Sequence, residues 1–380
     1  MAGPLEGVKI VELAGIGPSP YAAMLLADAG ADILRLERAS ANAHSGAVSW
    51  DLLTRSRRSV GIDLKAPGAV DLVLDLVAQS DALIEGFRPG VAERLGLGPD
   101  ACQAVNPKLV YGRMTGWGQE GPLGPRAGHD INYIALAGAL WPMGRAGDRP
   151  LPPLNLVGDF GGGGMMLAFG LCAAIINARS NGQGQVVDAA MVDGAASLMT
   201  MTYAFSHAGL WREERGANLL DTGAHFYEVY ETKDGAFFAV GAIERQFYAE
   251  LLDGLGLSGR DDLPDQMNRE HWDEMKELFS GIFATKTRDE WTAIFQDRDA
   301  CATPVLAPSE VLKDRHLSAR GTYVTNDGVL QPAPAPRFSK TPGEISSSPS
   351  EPGADTDEAL GAWGVDADRL ATLHASGAIS

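Results

Sequence analysis

The chain has 380 residues and a formal net charge of -18 at pH 7, with 45% hydrophobic and 21% charged residues. This length predicts more than one domain, and the composition is that of a globular protein, which excludes a wholly disordered chain. The acidic balance argues against general nucleic-acid binding, because neutralising phosphates requires a broad basic surface.

The three cysteines, Cys102, Cys172 and Cys301, are far apart and form no CxxC pair. They indicate neither a disulfide framework nor a zinc site, and they fit a reducing compartment. The first residues lack the features of a secretory signal, so we expect a cytoplasmic protein. The charge-free run 160–178 is just long enough to span a bilayer, but four glycines at one end favour a buried core helix. We therefore expect a soluble protein with no membrane partner.

The amino-terminal half alternates strand and helix patterns. Residues 8–13 (VKIVEL) predict a buried strand, followed by a turn, a helix over YAAMLLADAG and a strand over DILRLER. AVDLVLDLVAQS predicts another helix, and DALIEGF and KLVYGRMTGWG predict strands. The run 126–136 (RAGHDINYIAL) is β-leaning and also predicts a strand. The fold class is therefore α/β with a largely parallel sheet.

The pattern changes near residue 225, where HFYEVYET and AFFAVGAI predict two strands joined by a tight turn. Three helices follow, the last opened by a capping box from Thr287 to Glu290, and ATPVLA predicts a closing strand. Residues 332–354 predict a linker or wrapping segment, and a short helix comes after them. We expect a large domain over 1–200, a linker over 201–224, a small α+β domain over 225–310, and a return segment over 311–380 whose carboxyl-terminal helix packs on the large domain.

The first strand, turn and helix invite a dinucleotide-binding interpretation. Gly15 and Gly17 follow the strand, and Glu37 lies at the end of the next one. Pro20 replaces the third glycine of that motif, and Arg38 directly after the acid favours a phosphate. An NAD(P)-binding oxidoreductase and a purely structural turn both stay open at this point.

Basic residues are concentrated near this unit in an otherwise acidic chain. They indicate either a polyphosphate ligand, whose oxygens match guanidinium geometry, or a solvated surface paired with Asp51, Asp63 and Glu93. The basic residues are Arg35, Arg38, Arg55, Arg57, Arg58, Lys65, Arg88 and Arg94.

A series of motifs follows in one order along residues 4–250. They are GVKIVELAGIGPSPYAAMLLADAGADILRLER, RSRRSVGIDLK, LIEGFRPGVAERLGLGP, VYGRMTGWGQEGP, AGHDINYIALAG, PPLNLVGDFGGGG, GQVVDAAMVDG and YEVYETKDGAFFAVGAIERQFY. This series resembles the family III coenzyme A transferases (the CaiB/BaiF superfamily), and within them the bacterial 2-methylacyl-CoA racemases. The resemblance implies a Rossmann-like large domain, a smaller α+β domain and an interlocked homodimer. It also implies interconversion of (R)- and (S)-2-methylacyl-CoA thioesters by 1,1-proton transfer through an enolate.

The resemblance further implies where an acyl-CoA thioester would bind. Arg38 and the segment 62–65 are expected at the adenine and phosphates, Gly86, Phe87, Arg88 and Arg94 along the nucleotide and pantetheine, and 128–133 at the thioester. No metal and no cofactor are expected, because coenzyme A is part of the substrate. The implied contacts are Ile16, Arg38, Ile62, Asp63, Leu64, Lys65, Gly86, Phe87, Arg88, Arg94, Gly128, Asp130, Ile131, Asn132 and Tyr133.

Racemisation beside a thioester carbonyl needs a base on one face of the carbon and an acid on the other. His129 suits one role because its ordinary pKa is near neutral, and Asp159 suits the other if burial raises its pKa. Spacing alone also fits a structural interpretation of both residues, with His129 as a packed histidine and Asp159 as a helix N-cap. An aspartate at that position would lie beside free N–H groups that stabilise the enolate. Asp130 is expected to shape the turn, because its side chain should point to the opposite strand face.

Glu244, in VGAIERQF, is implied by the resemblance to support His129 across the dimer interface. Without the resemblance it is an exposed glutamate in the first turn of a helix. The transferases of the same family use the aspartate matching Asp159 as a nucleophile that forms an acyl anhydride, and they lack the histidine. The pair therefore favours proton transfer, with CoA transfer, an NAD(P)-binding oxidoreductase and a non-enzymatic binding module as alternatives.

Overall fold

The computed structural model describes residues 3–38 and 51–380. The chain divides into two compact units, the first made of Met1–Ala137, Leu154–Leu198 and Arg320–Ser380, and the second of Gly138–Pro153 and Met199–Ala319. Residues 138–153, which the sequence places in the large domain, thus belong to the second unit. The segment 201–224, predicted as a linker, also belongs to the second unit and is partly helical.

The eleven strands of the described residues form one parallel and two antiparallel sheets. They are β1 (Lys9–Leu13), β2 (Asp32–Glu37), β3 (Arg58–Gly61), β4 (Ala82–Glu85), β5 (Val110–Thr115), β6 (Val186–Ala190), β7 (Tyr227–Glu231), β8 (Phe237–Gly241), β9 (Ala302–Pro304), β10 (Tyr323–Asn326) and β11 (Val329–Pro332).

The helices surround these sheets. They are α1 (Pro18–Asp28), α2 (Ala69–Ala78), α3 (Val91–Arg94), α4 (Pro99–Val105), α5 (Asp130–Leu136), α6 (Met165–Asn181), α7 (Met191–Leu198), α8 (Thr200–His207), α9 (Arg245–Gly254), α10 (Trp272–Phe283), α11 (Arg288–Phe295), α12 (Arg315–Arg320), α13 (Thr356–Ala362) and α14 (Ala367–Ser376), with 3₁₀ turns at Leu52–Thr54, Arg269–His271 and Val311–Lys313 and a π-helical turn at Leu156–Gly164.

The large unit is built on a six-stranded sheet in the order β3-β2-β1-β4-β5-β6, with every neighbouring pair parallel. This is the strand order of the Rossmann fold, in which ligands bind outside the carboxyl ends of the strands where the order reverses. Here the reversal lies between β1 and β4. The predicted α/β class with a Rossmann-like sheet is confirmed.

Apolar side chains cover both faces of this sheet, as expected for parallel strands. On one face, α2, α13 and α14 pack over the sheet, and the last two contribute Leu360, Trp363 and Leu373 to the core. On the other face, α1 and α6 pack against residues such as Ile10 and Ile84. The segment 332–354 runs along the unit, where the backbone N–H of Glu344 donates to the carbonyl of Asp28.

The prediction of a strand over 126–136 is wrong, because the structure has helix α5 there. Asp130, Tyr133, Ile134 and Ala137 are buried, whereas 131, 132, 135 and 136 are exposed. Burial at positions i, i+3, i+4 and i+7 is the spacing of one helix face. The aromatic Tyr133 and the β-branched Ile134, which suggested a strand, lie on this buried face instead.

The stretch Leu156–Asn181 is long and apolar enough to cross a membrane, by length and composition only. The sequence predicts one core helix over 160–178, but the structure divides the stretch into the π-helical turn and α6. Helix α6 places Leu167 and Leu171 in the core, while Phe169 and Ile176 are about 70% exposed (72% and 68%). Part of its apolar surface is therefore not covered by the residues that the structure describes.

The second unit contains the antiparallel sheet β7-β8-β9. Helices α9, α10 and α11 pack on it through a core that includes Phe226, Phe238, Phe279 and Trp291. The predicted capping box is confirmed, because the backbone N–H of Thr287 donates to Glu290 and the backbone N–H of Glu290 donates to the Thr287 hydroxyl.

Candidate active site

Asp159 lies beside the turn that follows β1. A Cβ atom added at Gly17 would be 3.2 Å from Oδ2 of Asp159, and Gly17 has φ +67°. Glycine permits both this left-handed backbone and the close approach of the carboxyl group. The carboxyl group of Asp159 is thus held at the edge of the sheet where Rossmann folds bind their ligands.

The π-helical turn that carries Asp159 is packed through glycines. A Cβ at Gly194 of α7 would be 1.8 Å from the carbonyl oxygen of Gly162, and one at Gly158 would be 2.5 Å from Oδ2 of Asp130. The run of glycines is therefore required for backbone contacts on both sides of the turn. Short π-helical segments are frequent at functional sites.

Asp159 is not a helix N-cap, so the structural role that its sequence position suggests is wrong. It is the fourth residue of Leu156–Gly164, and its backbone N–H donates to Oδ2 of Asp130 at 2.7 Å. That N–H is consequently not free to stabilise an enolate oxygen. The prediction of a donor group at this helix end is wrong for Asp159 itself.

His129 immediately precedes α5, with its side chain exposed. Its backbone N–H donates to Oδ1 of Asn132 at 3.0 Å, which fixes the start of the helix. The next residue, Asp130, is buried, and its Oδ1 has no hydrogen-bond partner among the described residues. Through Asp130, the residue that carries the imidazole is joined to the turn that carries Asp159.

The pKa of Asp159 is raised above its ordinary value. Burial is the largest cause, and the charge of Asp130 adds to it. A hydrogen bond of 3.2 Å from Nδ2 of Asn155 and the nearby imidazole of His129 oppose the increase without cancelling it. One site therefore combines an imidazole with a carboxyl group that keeps its proton to higher pH, as general acid–base chemistry requires.

Tyr133 connects this pair to the segment that follows β4. Its ring packs edge-on against Trp117 at 4.7 Å and fills the space where Gly116 would otherwise carry a side chain. Burial chiefly raises the pKa of its phenol, with a further increase from Asp159 and an opposing effect from Arg88. Both charged residues therefore lie near the phenol.

A cavity of about 390 Å³ lies at the carboxyl ends of β1 to β3, bordered by the segment after β4. Six of the residues implied by the resemblance line it: Arg38, Ile62, Asp63, Leu64, Lys65 and Phe87. Nearby, Ile16 is 84% exposed in the turn after β1, and Gly86 packs against Ser19 at the start of α1. The structure thus brings these residues together at one edge of the sheet.

Seven of the eight basic residues divide into two groups that the sequence does not distinguish, and the eighth, Arg58, is half-buried and pairs with Asp32. Arg35 and Arg57 are buried and both pair with Glu12, at 2.7 and 2.6 Å, and Arg55 is buried against Asp28. These three are neither ligand-facing nor solvated, so both sequence interpretations are wrong for them. In contrast, Arg38, Lys65, Arg88 and Arg94 are exposed.

Glu37, the candidate acid for a ribose in a dinucleotide site, is already engaged. Its Oε1 accepts from the hydroxyl of Ser59 at 2.6 Å, and its Oε2 lies 3.4 Å from Nε of Arg35. This weakens the interpretation as an NAD(P)-binding oxidoreductase, which requires that carboxylate to meet the ligand.

Glu244 lies in the second unit, in the exposed position directly before α9. The structure of each unit by itself does not bring it together with His129.

In the described ranges, 3–38 and 51–380, no group of three or more His, Cys, Asp or Glu side chains is arranged to hold a metal ion.

Two contributors to the site are missed by the sequence reasoning. Gly17 is considered only as part of a nucleotide motif, yet it lies against Asp159. Asn155 donates to Asp159, and its position four residues earlier is the one signal that suggests a contact along a helix.

A comparison with known protein families shows to which family the chain belongs. The model of CoA-transferase family III matches residues 5–356. The chain belongs to CoA-transferase family III. It is 45% identical over 373 residues to alpha-methylacyl-CoA racemase of Mus musculus, with 97% of this chain and 96% of the mouse protein covered. The Homo sapiens protein of the same name is 44% identical over 375 residues, with the same coverage of 97% and 96%.

A solved structure agrees with this fold. A CAIB/BAIF family protein from Brucella suis matches with a TM-score of 0.82 at 23% identity, covering 96% of this chain and 100% of that one. The family model and the two relatives confirm the resemblance to the family that is stated from the motifs.

Proposed function

We propose that the protein interconverts (R)- and (S)-2-methylacyl-CoA thioesters, as the names of its mouse and human relatives suggest. The observation that carries the proposal is that His129 is near enough to Asp159 to influence its pKa, which is raised by burial and by Asp130. A transferase that works through a carboxylate nucleophile has no need of the imidazole, whereas proton transfer on two faces of one carbon needs a second group.

In the proposed reaction, His129 and Asp159 form the acid/base pair. One of them, deprotonated, removes the α-proton, and the electron pair of the C–H bond passes into the enolate of the thioester. The other, protonated, donates its proton to the opposite face. After this step the group that was deprotonated carries a proton, and the group that was protonated has lost one. In this form the enzyme accepts the opposite epimer.

The enolate oxygen needs hydrogen-bond donors in the site. Asp130 and Ile131 are the first residues of α5, so their backbone N–H groups have no acceptor within the helix. We assign the thioester oxygen to this end of α5. Asp130 is thus proposed to shape the site from both sides, by its own N–H and by its carboxylate on Asp159.

The coenzyme A part of the substrate is proposed to bind along the carboxyl edge of the sheet. The cavity beside Arg38 and Lys65 would hold the adenine and phosphates, with exposed guanidinium groups available for phosphate oxygens. Arg88 and Phe87 would follow the pantetheine towards Tyr133 and the acid/base pair. No cofactor beyond the coenzyme A of the substrate is proposed.

We further propose an interlocked homodimer in which Glu244 orients the imidazole of His129 across the interface between two copies. Large apolar side chains of the first unit support an interface, since exposed apolar surface of this extent marks interaction sites. They are Leu136 at 65%, Leu154 at 78%, Leu156 at 56%, Phe169 at 72% and Ile176 at 68% exposure.

Transfer of coenzyme A between carboxylates is the second candidate, favoured by the accessible carboxyl group of Asp159. It would form an acyl anhydride on Asp159 and require a carboxylic acid as acceptor. The two candidates are separated by incubating one epimer of a 2-methylacyl-CoA with the protein in the absence of any free acid. We expect conversion towards an equal mixture of epimers. Unchanged configuration of the remaining substrate, together with release of coenzyme A and an Asp159 adduct trapped by hydroxylamine, would instead establish the transferase.

A further inference from the structure

A charge cluster of three residues, Glu85, Arg113 and Glu93, lies behind the segment that follows β4, with Glu85 and Arg113 buried and Glu93 exposed. Glu85 is the last residue of β4 and is 1% exposed, and Arg113, its register partner on β5, is 7% exposed. Glu93 belongs to α3. None of the three belongs to the residues assigned above to the substrate or to proton transfer.

Arg113 joins both ends of the segment 86–92. Its Nε donates to Oε1 of Glu85 at 3.0 Å, and a second nitrogen lies 2.8 Å from Oε1 of Glu93. Oε2 of Glu85 accepts from the backbone N–H of Phe87 at 2.7 Å. The beginning and the end of the segment are therefore both held by one guanidinium group, in the fork geometry that arginine provides.

This segment carries the groups that face the proposed coenzyme. Phe87 borders the cavity, and Arg88 lies near Tyr133. Glu93 pairs with Arg113, and the neighbouring Arg94 is exposed. The other side of the segment is fixed as well, since a Cβ at Gly86 would meet Oγ of Ser19 at 2.7 Å.

We propose that Arg113 is a positioning residue that holds the segment 86–93 in the conformation that binds coenzyme A, without touching the ligand. The inference rests on the proposed function, because it takes the acyl-CoA thioester as the ligand. Its physical basis is preorganisation, since a segment already held in its bound conformation loses less entropy on binding. The cluster should therefore affect affinity rather than the chemical step.

The test compares Arg113→Met, Glu93→Gln and the wild type. If Arg113→Met leaves the segment in its binding conformation about a tenth of the time, the apparent Kd for coenzyme A rises about tenfold. KM for the thioester should rise with it, while kcat at saturation stays within about twofold. Glu93→Gln keeps the buried pair with Glu85 and should give a smaller increase. Arg179→Met is the matched control, because it breaks the exposed pair with Asp81.

Removing Arg113 alone leaves the buried Glu85 unpaired, which threatens folding. The double variant Glu85→Gln, Arg113→Met removes both charges and should keep the altered affinity while restoring the melting temperature. Hydrogen exchange adds a readout without ligand. The amide of Phe87 and the other amides of the segment 86–93 should exchange faster in the Arg113 variants than in the wild type. Their exchange rates should be unchanged in Arg179→Met.

Free coenzyme A, followed by calorimetry, is the probe. If the folded Arg113 variants bind coenzyme A with the same Kd as the wild type, the inference is overturned. A fall in kcat with an unchanged Kd also overturns it. Failure of the wild type to bind coenzyme A overturns the proposed function itself. The two failures are distinct, because only the second is seen in the wild type.

Discussion

Asp130 accepts a hydrogen bond of 2.7 Å from the backbone N–H of Asp159, although neither residue is near the other in sequence. The adjacent pair His129 and Asp130 thus does not act as a charge couple. Asp130 serves the π-helical turn, while His129 and Asp159 are the two groups proposed as the acid/base pair. A buried carboxylate on a backbone N–H contributes to stability as well as to geometry.

Replacing Asp130 should separate these contributions. Asp130→Asn removes the charge that raises the pKa of Asp159 but keeps an oxygen that can accept the N–H. In the direction where Asp159 is the base, activity is lost as pH falls through its pKa, and this limb should move to lower pH. Asp130→Ala also leaves the N–H of Asp159 unpaired and should cost roughly 1.5–3 kcal/mol of stability. pH–rate profiles from both epimers and thermal unfolding measure the two effects.

Replacing Asn155 should shift the pKa of Asp159 in the opposite direction. Its hydrogen bond lowers the pKa of Asp159, so Asn155→Ala should move the same limb to higher pH. If both variants moved the limb in one direction, Asp159 would not be the group that sets it.

Gly194 should tolerate no side chain, because its Cβ would overlap the carbonyl oxygen of Gly162. Gly194→Ala is expected to displace the turn that carries Asp159 and to destabilise the first unit by about 1–3 kcal/mol or more. Gly361→Ala is the control: it lies in α13 with no atom within 4 Å of the new Cβ, and alanine favours a helix. Equal melting temperatures for the two variants would contradict the packing described.

His225 should make the second unit sensitive to acid. It is buried, with Nε2 2.9 Å from the hydroxyl of Tyr248, and burial lowers its pKa from 6.5 to about 4. The unfolded chain binds this proton near pH 6.5, so stability falls as pH decreases from 6.5 to 4, by up to roughly 3 kcal/mol. His225→Phe should flatten this dependence, and His271→Gln, at an exposed site, should not. A slope unaltered by His225→Phe in pH-dependent denaturation curves would refute the assignment.

The fold is predictable from sequence to the extent that burial follows simple periods. The strand VKIVEL and its helix are correct because apolar residues predominate in a buried parallel strand and α1 is flanked by turn residues. The error at 126–136 arises because Asp130 occupies a buried helical position, so the apolar period is broken by a charged residue. Only its distant partner, the N–H of Asp159, explains that burial.

The sequence predicts candidate residues for the site but not their arrangement. The π-helical turn depends on the contact between Gly162 and Gly194, which a local pattern does not reveal. The buried roles of Arg35 and Arg57 depend on Glu12, a charged residue inside a strand that otherwise reads as apolar. Each case requires knowledge of which segments become neighbours.

The most direct measurement follows the α-hydrogen of a single epimer of a 2-methylacyl-CoA in D2O, by NMR, together with the configuration of that carbon. The account predicts that the wild type replaces the α-hydrogen with deuterium as it inverts the centre, starting from either epimer. His129→Asn and Asp159→Asn should each slow inversion by about a hundredfold or more. Inversion with the original hydrogen retained, or inversion undiminished in both variants, would contradict proton transfer by His129 and Asp159.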